Sequence, residues 1–515
     1  MNIQKLKKTI NIFALMLSFY FYLTIWFKFT SSSFPLSSFD GALRVLAHNY
    51  TSIGLIPYKD FGIVYPPGLI IFLGEIISYQ SILQRNLLFG LTHLLITIVN
   101  LLLINKIKNK NILINLLPIY LIISSVSALN IDLEPFSYPL LITYTLTVIL
   151  YFKSNFNSIK TLLGIFSLPI FIFFLRWDAI LAYQAIINLI MLSYICCIKL
   201  VEKKLPSSSK NILKLLLISN SGLLVAAIIL FLYLFGINSV SEGIDFIFRI
   251  PTSVIMPYRK LPLPGLNSFF SEDSIFYVSL LSILLTFITT AKLIASYKAD
   301  KKIILLLLML MPFSTFHYAL GRSDHWHFIP FLFLTLGSIT LFYSITGLKR
   351  LVFIAVITIY FTFPHVFSEM SDVLDSKVDI RDDISKNLDN CKQAIQGKEN
   401  YQSMFVGREN YDRFIFNNAA LYLINPKVKP ASSFISDEPG LQNSCHYGQV
   451  ISQQLKNSKK PMLVFLEKGL HNPEPNKTQE MHSCGKIEKF LATAEYEKIG
   501  NCNAYNQDYE IRIYH

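Results

Sequence analysis

The stretch ILKLLLISNSGLLVAAIILFLYLF, residues 212–235, decides how the chain is read. Lys214 is its only charged side chain. An α-helix of this length rises about 36 Å, enough to cross the ~30 Å hydrocarbon core of a bilayer. Working outward, apolar runs of spanning length recur near 9–29, 84–105, 111–129, 135–152, 161–177, 179–198, 274–296, 302–320, 327–346 and 350–367. With 212–235 they make eleven expected spans. The run PPGLIIFLGEIISY (66–79) is short and carries Glu75, so it is read as an interfacial or re-entrant helix.

Composition agrees. Apolar residues make up 52% of the 515 and charged residues only 15%, against an ordinary ~25% charged. A disordered chain, a secreted disulfide mini-protein and an ordinary cytosolic enzyme are excluded. The net charge of +13 is unevenly placed. Residues 1–368 carry 28 Lys/Arg against 13 Asp/Glu, whereas residues 369–515 carry 18 against 20. The excess belongs to the apolar part, where it records topology and not nucleic-acid binding. With the amino terminus inside, the expected inner loops hold 19 Lys/Arg and the outer segments nine. Four of the six cysteines, Cys391, Cys445, Cys484 and Cys502, lie in the polar tail, which therefore belongs in an oxidising compartment. Three disulfide pairings are open; proximity in sequence favours Cys484–Cys502 with Cys391–Cys445. Cys196 and Cys197 read as packing residues.

The expected architecture is an all-α polytopic membrane domain, residues 1–368, with about eleven transmembrane helices. It runs N-in/C-out and includes a first external loop at 30–83. A small extracytoplasmic α/β domain follows over 369–515. In that tail YQSMFVG, PMLVFLE and YEIRIYH read as strands, and NNAALYLI and KIEKFLATAEY as helices.

Chemistry-bearing residues concentrate in the outer segments. The first loop holds Asp40 and Asp60, and a carboxylate at the bilayer edge costs several kcal/mol unless it is wet, paired or used. Asp40 also suits a helix cap ahead of GALRVL. GRSDHWH (321–327) crowds Arg322, Asp324, His325 and His327 together. An arginine there can grip a phosphate bidentately, and the acid and histidines can handle a proton. Arg249, Arg259 and Lys260 sit among prolines and aromatics in 236–273, a pattern suited to anionic headgroups. Arg176 and Asp178 form a further pair, read as structural. Cations over a membrane with a free carboxylate suit an anionic lipid donor with a phosphate leaving group.

The stretch FDGALRVLAHNY–GLIPYKDFGIVYPPG (39–68) resembles the first external loop of GT-C glycosyltransferases, in particular the bacterial protein-mannosyltransferase-like and aminoarabinose-transferase-like group. The shared elements are an acid soon after the first helix (Asp40), a G-x-x-PY-x-DF segment (Gly54, Pro57, Tyr58, Lys59, Asp60, Phe61) and YPP (Tyr65, Pro66, Pro67). GRSDHWH resembles an Arg-Ser-Asp-x-x-His element late in that group's membrane domain. FVGRENYDRFIFNNAALYLINPKVKP (405–430) and EPNKT (474–478) resemble its exported domain.

The resemblance implies a hexosyl- or pentosyl-transferase of the bacterial cytoplasmic (inner) membrane. A polyprenyl-phosphate sugar is the donor, and a glycan, lipid or protein is the acceptor. Asp40 takes the catalytic acid/base role. The family's second acid is replaced by Gly41, so that role is absent or passes to Asp60, and no metal is indicated. Lys59, Arg259, Lys260 and Arg322 are the candidates for the donor phosphate, and Tyr58, Tyr65, Asp324 and His327 for lining the site. Rival readings are a polysaccharide ligase or polymerase, a lipid-linked glycan transporter or flippase, and a non-catalytic surface or sensor protein.

Overall fold

The computed structural model describes residues 39–64, 82–107, 136–154, 158–202, 207–263, 274–297, 299–323, 325–375, 383–398, 400–414, 419–469, 476–505 and 507–515, with a few isolated positions besides. The chain divides into two compact units. One comprises Met1–Ser32, Leu83–Ile228 and Leu263–Val378; the other comprises Ser33–Ile82, Ile229–Pro262 and Asp379–His515.

The first unit is helical. Among the described residues five helices are long and apolar enough to cross a membrane: Ile159–Cys196, Ser209–Gly236, Ser274–Ser296, Lys301–Gly321 and His327–Thr346. This is fewer than the expected eleven. The runs 9–29 and 111–129, and the segment 66–79, fall mostly outside the described residues. Helices Ile82–Ile107, Ser137–Lys153 and Lys349–Asp375 cover three further expected runs. The runs 161–177 and 179–198 form one helical stretch, Ile159–Glu202, with no connecting loop. Its apolar part of 38 residues rises about 57 Å, nearly twice the hydrocarbon thickness. It is interrupted where Arg176 leaves helical geometry (φ −152°, ψ 80°).

Hydrogen-bonded amides and small residues hold these helices together, since lipid offers no hydrophobic drive between them. The Tyr144 hydroxyl donates to Gln184 Oε1 at 2.9 Å. Gln184 Nε2 in turn donates to Ser219 Oγ at 2.9 Å and to Asn188 Oδ1 at 3.0 Å. Asn188 and Asn220 exchange amide bonds at 3.0 Å. A side-chain carbon on Gly222 would lie 2.3 Å from the carbonyl oxygen of Phe166, so only glycine permits this helix approach. Cys196, expected to pack, lies exposed on the helix surface.

The second unit is built on a five-stranded sheet ordered β2-β1-β3-β5-β4. The strands are β1 (Ser403–Arg408), β2 (Lys429–Pro430), β3 (Met462–Glu467), β4 (Tyr496–Ala504) and β5 (Gln507–Tyr514). β1 runs parallel to both β2 and β3, whereas β5 is antiparallel to β3 and β4. All six residues of β1 and all six of β3 are buried, as continuous apolar strands covered on both faces require. NNAALYLI contributes a short 3₁₀ turn, Ala419–Ile424, in place of an α-helix. The disulfides are Cys391–Cys502 and Cys445–Cys484, which corrects the pairing inferred from proximity. Cys502 lies on β4 beside the helix Asp383–Ala394, so the fold brings together cysteines 111 residues apart.

The first loop and the 229–262 stretch fold with this sheet. The helix Phe39–Ser52 places Leu43, Leu46, Ala47 and Tyr50 in one core with Met404, Val406, Leu463, Phe465 and Ile511. Burying each large apolar side chain contributes about 1.5–3 kcal/mol. A π-helical stretch, Asp245–Ile255, lays Phe246 against Phe434, ring centroids 5.1 Å apart.

Candidate functional site

Three polar constellations stand out, one in the first unit and two in the second. In the first unit, the break at Arg176 turns its side chain onto Asp178, two residues on. Arg176 Nε donates to Asp178 Oδ1 at 2.9 Å and Nη2 donates to Oδ2 at 3.3 Å. Asp178 Oδ2 also lies 3.0 Å from His317 Nε2. The Arg176 guanidinium covers the Tyr318 ring at 4.0 Å, and that ring lies 4.4 Å from His327, centroid to centroid. The break at Arg176 and the helix Phe316–Gly321 are thus in direct contact.

An imidazole donating to a carboxylate through Nε2 presents Nδ1 as an acceptor. Asp178 and Arg176 are largely buried, whereas the His317 side chain is 41% exposed. The arrangement can orient a base and set a cation beside it. Backbone that departs from the helix inside an apolar run is tolerated where protein or water satisfies it.

In the second unit, the G-x-x-PY-x-DF segment forms a tight loop closed by Asp60. Its Oδ2 accepts from the Ile56 N–H at 2.9 Å, and its Oδ1 accepts from Lys429 Nζ at 2.7 Å. Partial burial raises the Asp60 pKa, but the Lys429 and Ile56 bonds outweigh it and hold the carboxyl below its ordinary range. Tyr58 is buried in left-handed geometry, φ 66°, and its N–H donates to the Phe61 carbonyl at 2.7 Å. Burial, with Tyr233 nearby, pushes its phenol well up. The Gly62 N–H donates to the Ser433 carbonyl at 2.7 Å, tying the loop to the chain after β2.

The carboxyl ends of β1 and β3 hold a buried ionic cluster. Arg408 Nη2 lies 3.1 Å from Glu467 Oε2 and Nε 3.8 Å from Asp437 Oδ2. Arg259 Nη1 lies 3.6 Å from Glu438 Oε2. Burial holds the Asp437 carboxyl well above its ordinary range, and Glu467 and Glu438 add to this against the pull of Arg408. Carboxyl ends of parallel strands, where neighbouring connections diverge, are the usual ligand crevice of such sheets.

The expected site residues therefore divide. Tyr58, Lys59, Asp60, Arg259 and Lys260 belong to the second unit; Arg322 and His327 belong to the first. Asp40 lies in the first turn of the helix Phe39–Ser52, within the second unit. Its side chain, Tyr65 and Asp324 lie outside the described residues. Lys59 and Lys260 are exposed. Among the described residues, no group of three His, Cys, Asp or Glu side chains is placed to hold a metal.

Sequence reading passed over His317 and the cluster of Arg408, Asp437, Glu438 and Glu467. His317 carried a usable signal, because an ionisable side chain inside an apolar run marks function by default. Compared with known proteins, the chain matches no family model and no curated sequence.

Proposed function

We propose that the chain is an integral-membrane glycosyltransferase that moves a sugar from a polyprenyl-phosphate donor to an extracytoplasmic acceptor. The observation that carries this reading is the Arg176–Asp178–His317 constellation, which sets a cation and an oriented imidazole at a break in an apolar helix. A guanidinium held in place by a carboxylate and an imidazole suits an anionic leaving group such as a lipid phosphate. The GT-C-like loop at 39–68 supplies the second support, and the tail disulfides suit an exported domain over a bacterial cytoplasmic membrane, N-in and C-out.

In this reading Asp40 removes the proton from the acceptor hydroxyl. The oxygen attacks the anomeric carbon as the carbon–oxygen bond to phosphate breaks. The lipid phosphate leaves with the electron pair, and the configuration inverts. Lys260, in the same unit as Asp40, attracts the phosphate electrostatically. Asp60 and Arg259, engaged by Lys429 and Glu438, act as positioning residues for their loops.

The test is mass spectrometry of envelope glycans, glycolipids and glycoproteins from a deletion strain complemented with wild type, Asp40→Asn or His317→Gln at matched protein levels. A glycan lost on deletion and restored by wild type, but by neither variant, supports the assignment. Full restoration by Asp40→Asn removes Asp40 from the mechanism, and an unchanged glycan inventory on deletion overturns the function.

A further inference from the structure

The second unit carries two adjoining cavities, one on each side of the helix Cys445–Asn457. The larger, about 560 Å³, is lined by Lys59, Lys429 and Lys459. The smaller, about 300 Å³, is lined by Lys456, Lys486 and Lys489. Gln453 lines both, so the two meet at this residue and together are called the trough. Against six lysines the lining holds a single acid, Asp60, and Lys429 already engages it.

This segregation is not a by-product of composition. Residues 369–515 contain more acids than bases, 20 against 18, so an unselected surface would mix the two signs evenly. A concave surface lined by one sign focuses its field on an anionic ligand. The neutral lining residues fit a particular anion. Gln402, Gln449, Gln453 and Asn457 offer both donors and acceptors, the complement of sugar hydroxyls. Lysine ammoniums are compact point charges suited to phosphate or carboxylate. A bilayer surface would be met by a convex or flat face with apolar anchors, whereas these lysines line cavities.

We infer that this trough binds an acidic glycan chain, a sugar polymer bearing phosphate or carboxylate groups. As the seat of an acceptor it rests on the transferase reading, but binding itself does not depend on transfer.

The test uses the full chain in phosphatidylcholine nanodiscs, with a fluorescent oligogalacturonate as probe and a dextran oligomer of equal length as the uncharged control. The expected result is binding of oligogalacturonate and not of dextran, weakening as sodium chloride rises. Lys456→Gln/Lys486→Gln/Lys489→Gln lowers the affinity at least tenfold, and so does Lys59→Gln/Lys459→Gln, which carries the test if the triple variant fails to fold. Lys427→Gln/Lys477→Gln, exposed but outside both cavities, leaves it unchanged. Equal affinity in the folded variants and wild type, equal binding of dextran, or no binding of oligogalacturonate overturns the inference. So does a lysine effect confined to vesicles containing phosphatidylglycerol, which would make the surface a membrane contact. Binding that persists while no transfer is found removes the transferase reading and leaves the trough standing.

Discussion

Arg408→Met is expected to loosen the sheet of the second unit at its centre, and to do so more at pH 7 than at pH 5. The Arg408 side chain is 2% exposed and its partner Glu467 is 1% exposed. Methionine keeps much of the arginine stem, so the lost charge outweighs the lost packing. Removing one member of a buried pair costs about 3–5 kcal/mol, because the other charge stays desolvated. Glu467 then escapes the penalty only by taking up a proton. A buried carboxylate left without its cation favours the neutral form, so the folded variant binds more protons than the unfolded chain and loses stability as pH rises. One proton over two pH units is worth about 2.7 kcal/mol, which is the upper limit of the recovery at pH 5. The assay is hydrogen exchange of peptides spanning 403–408 and 462–467 in the full chain at both pH values, corrected for intrinsic rates. An opening free energy unchanged at pH 7 would refute the pairing. A loss equal at both pH values would refute charge as its cause.

Two further outcomes follow from other contacts. A side-chain carbon on Gly62 would lie 2.0 Å from the Phe246 ring, so Gly62→Ala should destabilise the loop 54–62 by about 1–3 kcal/mol; adding Phe246→Ala should restore its protease resistance, and a double variant as labile as the single one would count against that clash. Glu510, resisting burial through Lys498, Arg512 and Lys468, has its pKa lowered from 4.5 to about 2. A lowered carboxylate contributes stability above its unfolded pKa and loses it as pH falls, here between about 4.5 and 2, so Glu510→Gln should flatten the acid limb of a melting-temperature profile over that window.

Long apolar runs declared their helices because a spanning segment must satisfy its backbone within itself. Residues 274–296 were legible to the residue. The break at Arg176 was legible as a boundary but not as a kink inside one helical stretch, since no turn residue marks it. β1, β3 and β5 announced themselves through apolar and β-branched runs. β4 did not, because YEKIGNCNA buries little beyond Cys502 and Ala504 and takes its place from pairing with β5. The helix Cys445–Asn457 was hidden by its glycine and glutamines, although Ser444 caps it through the Tyr447 N–H at 3.2 Å.

Sequence alone determined that this chain is built from apolar helices followed by a small disulfide-bearing sheet domain, because hydropathy and strand periodicity are local properties. It also singled out Arg176, Asp178, Asp60 and Arg259 as residues worth explaining. The Arg176–Asp178 pair was legible in the sequence, but tertiary structure alone decided the remaining partners. His317 reaches Asp178 across 139 residues, and Lys429 reaches Asp60 across 369. The disulfide connectivity and the merging of the first loop with the distant sheet were decided in the same way. Contacts of such separation depend on how packed elements bring remote segments together, and no local pattern of residues encodes that.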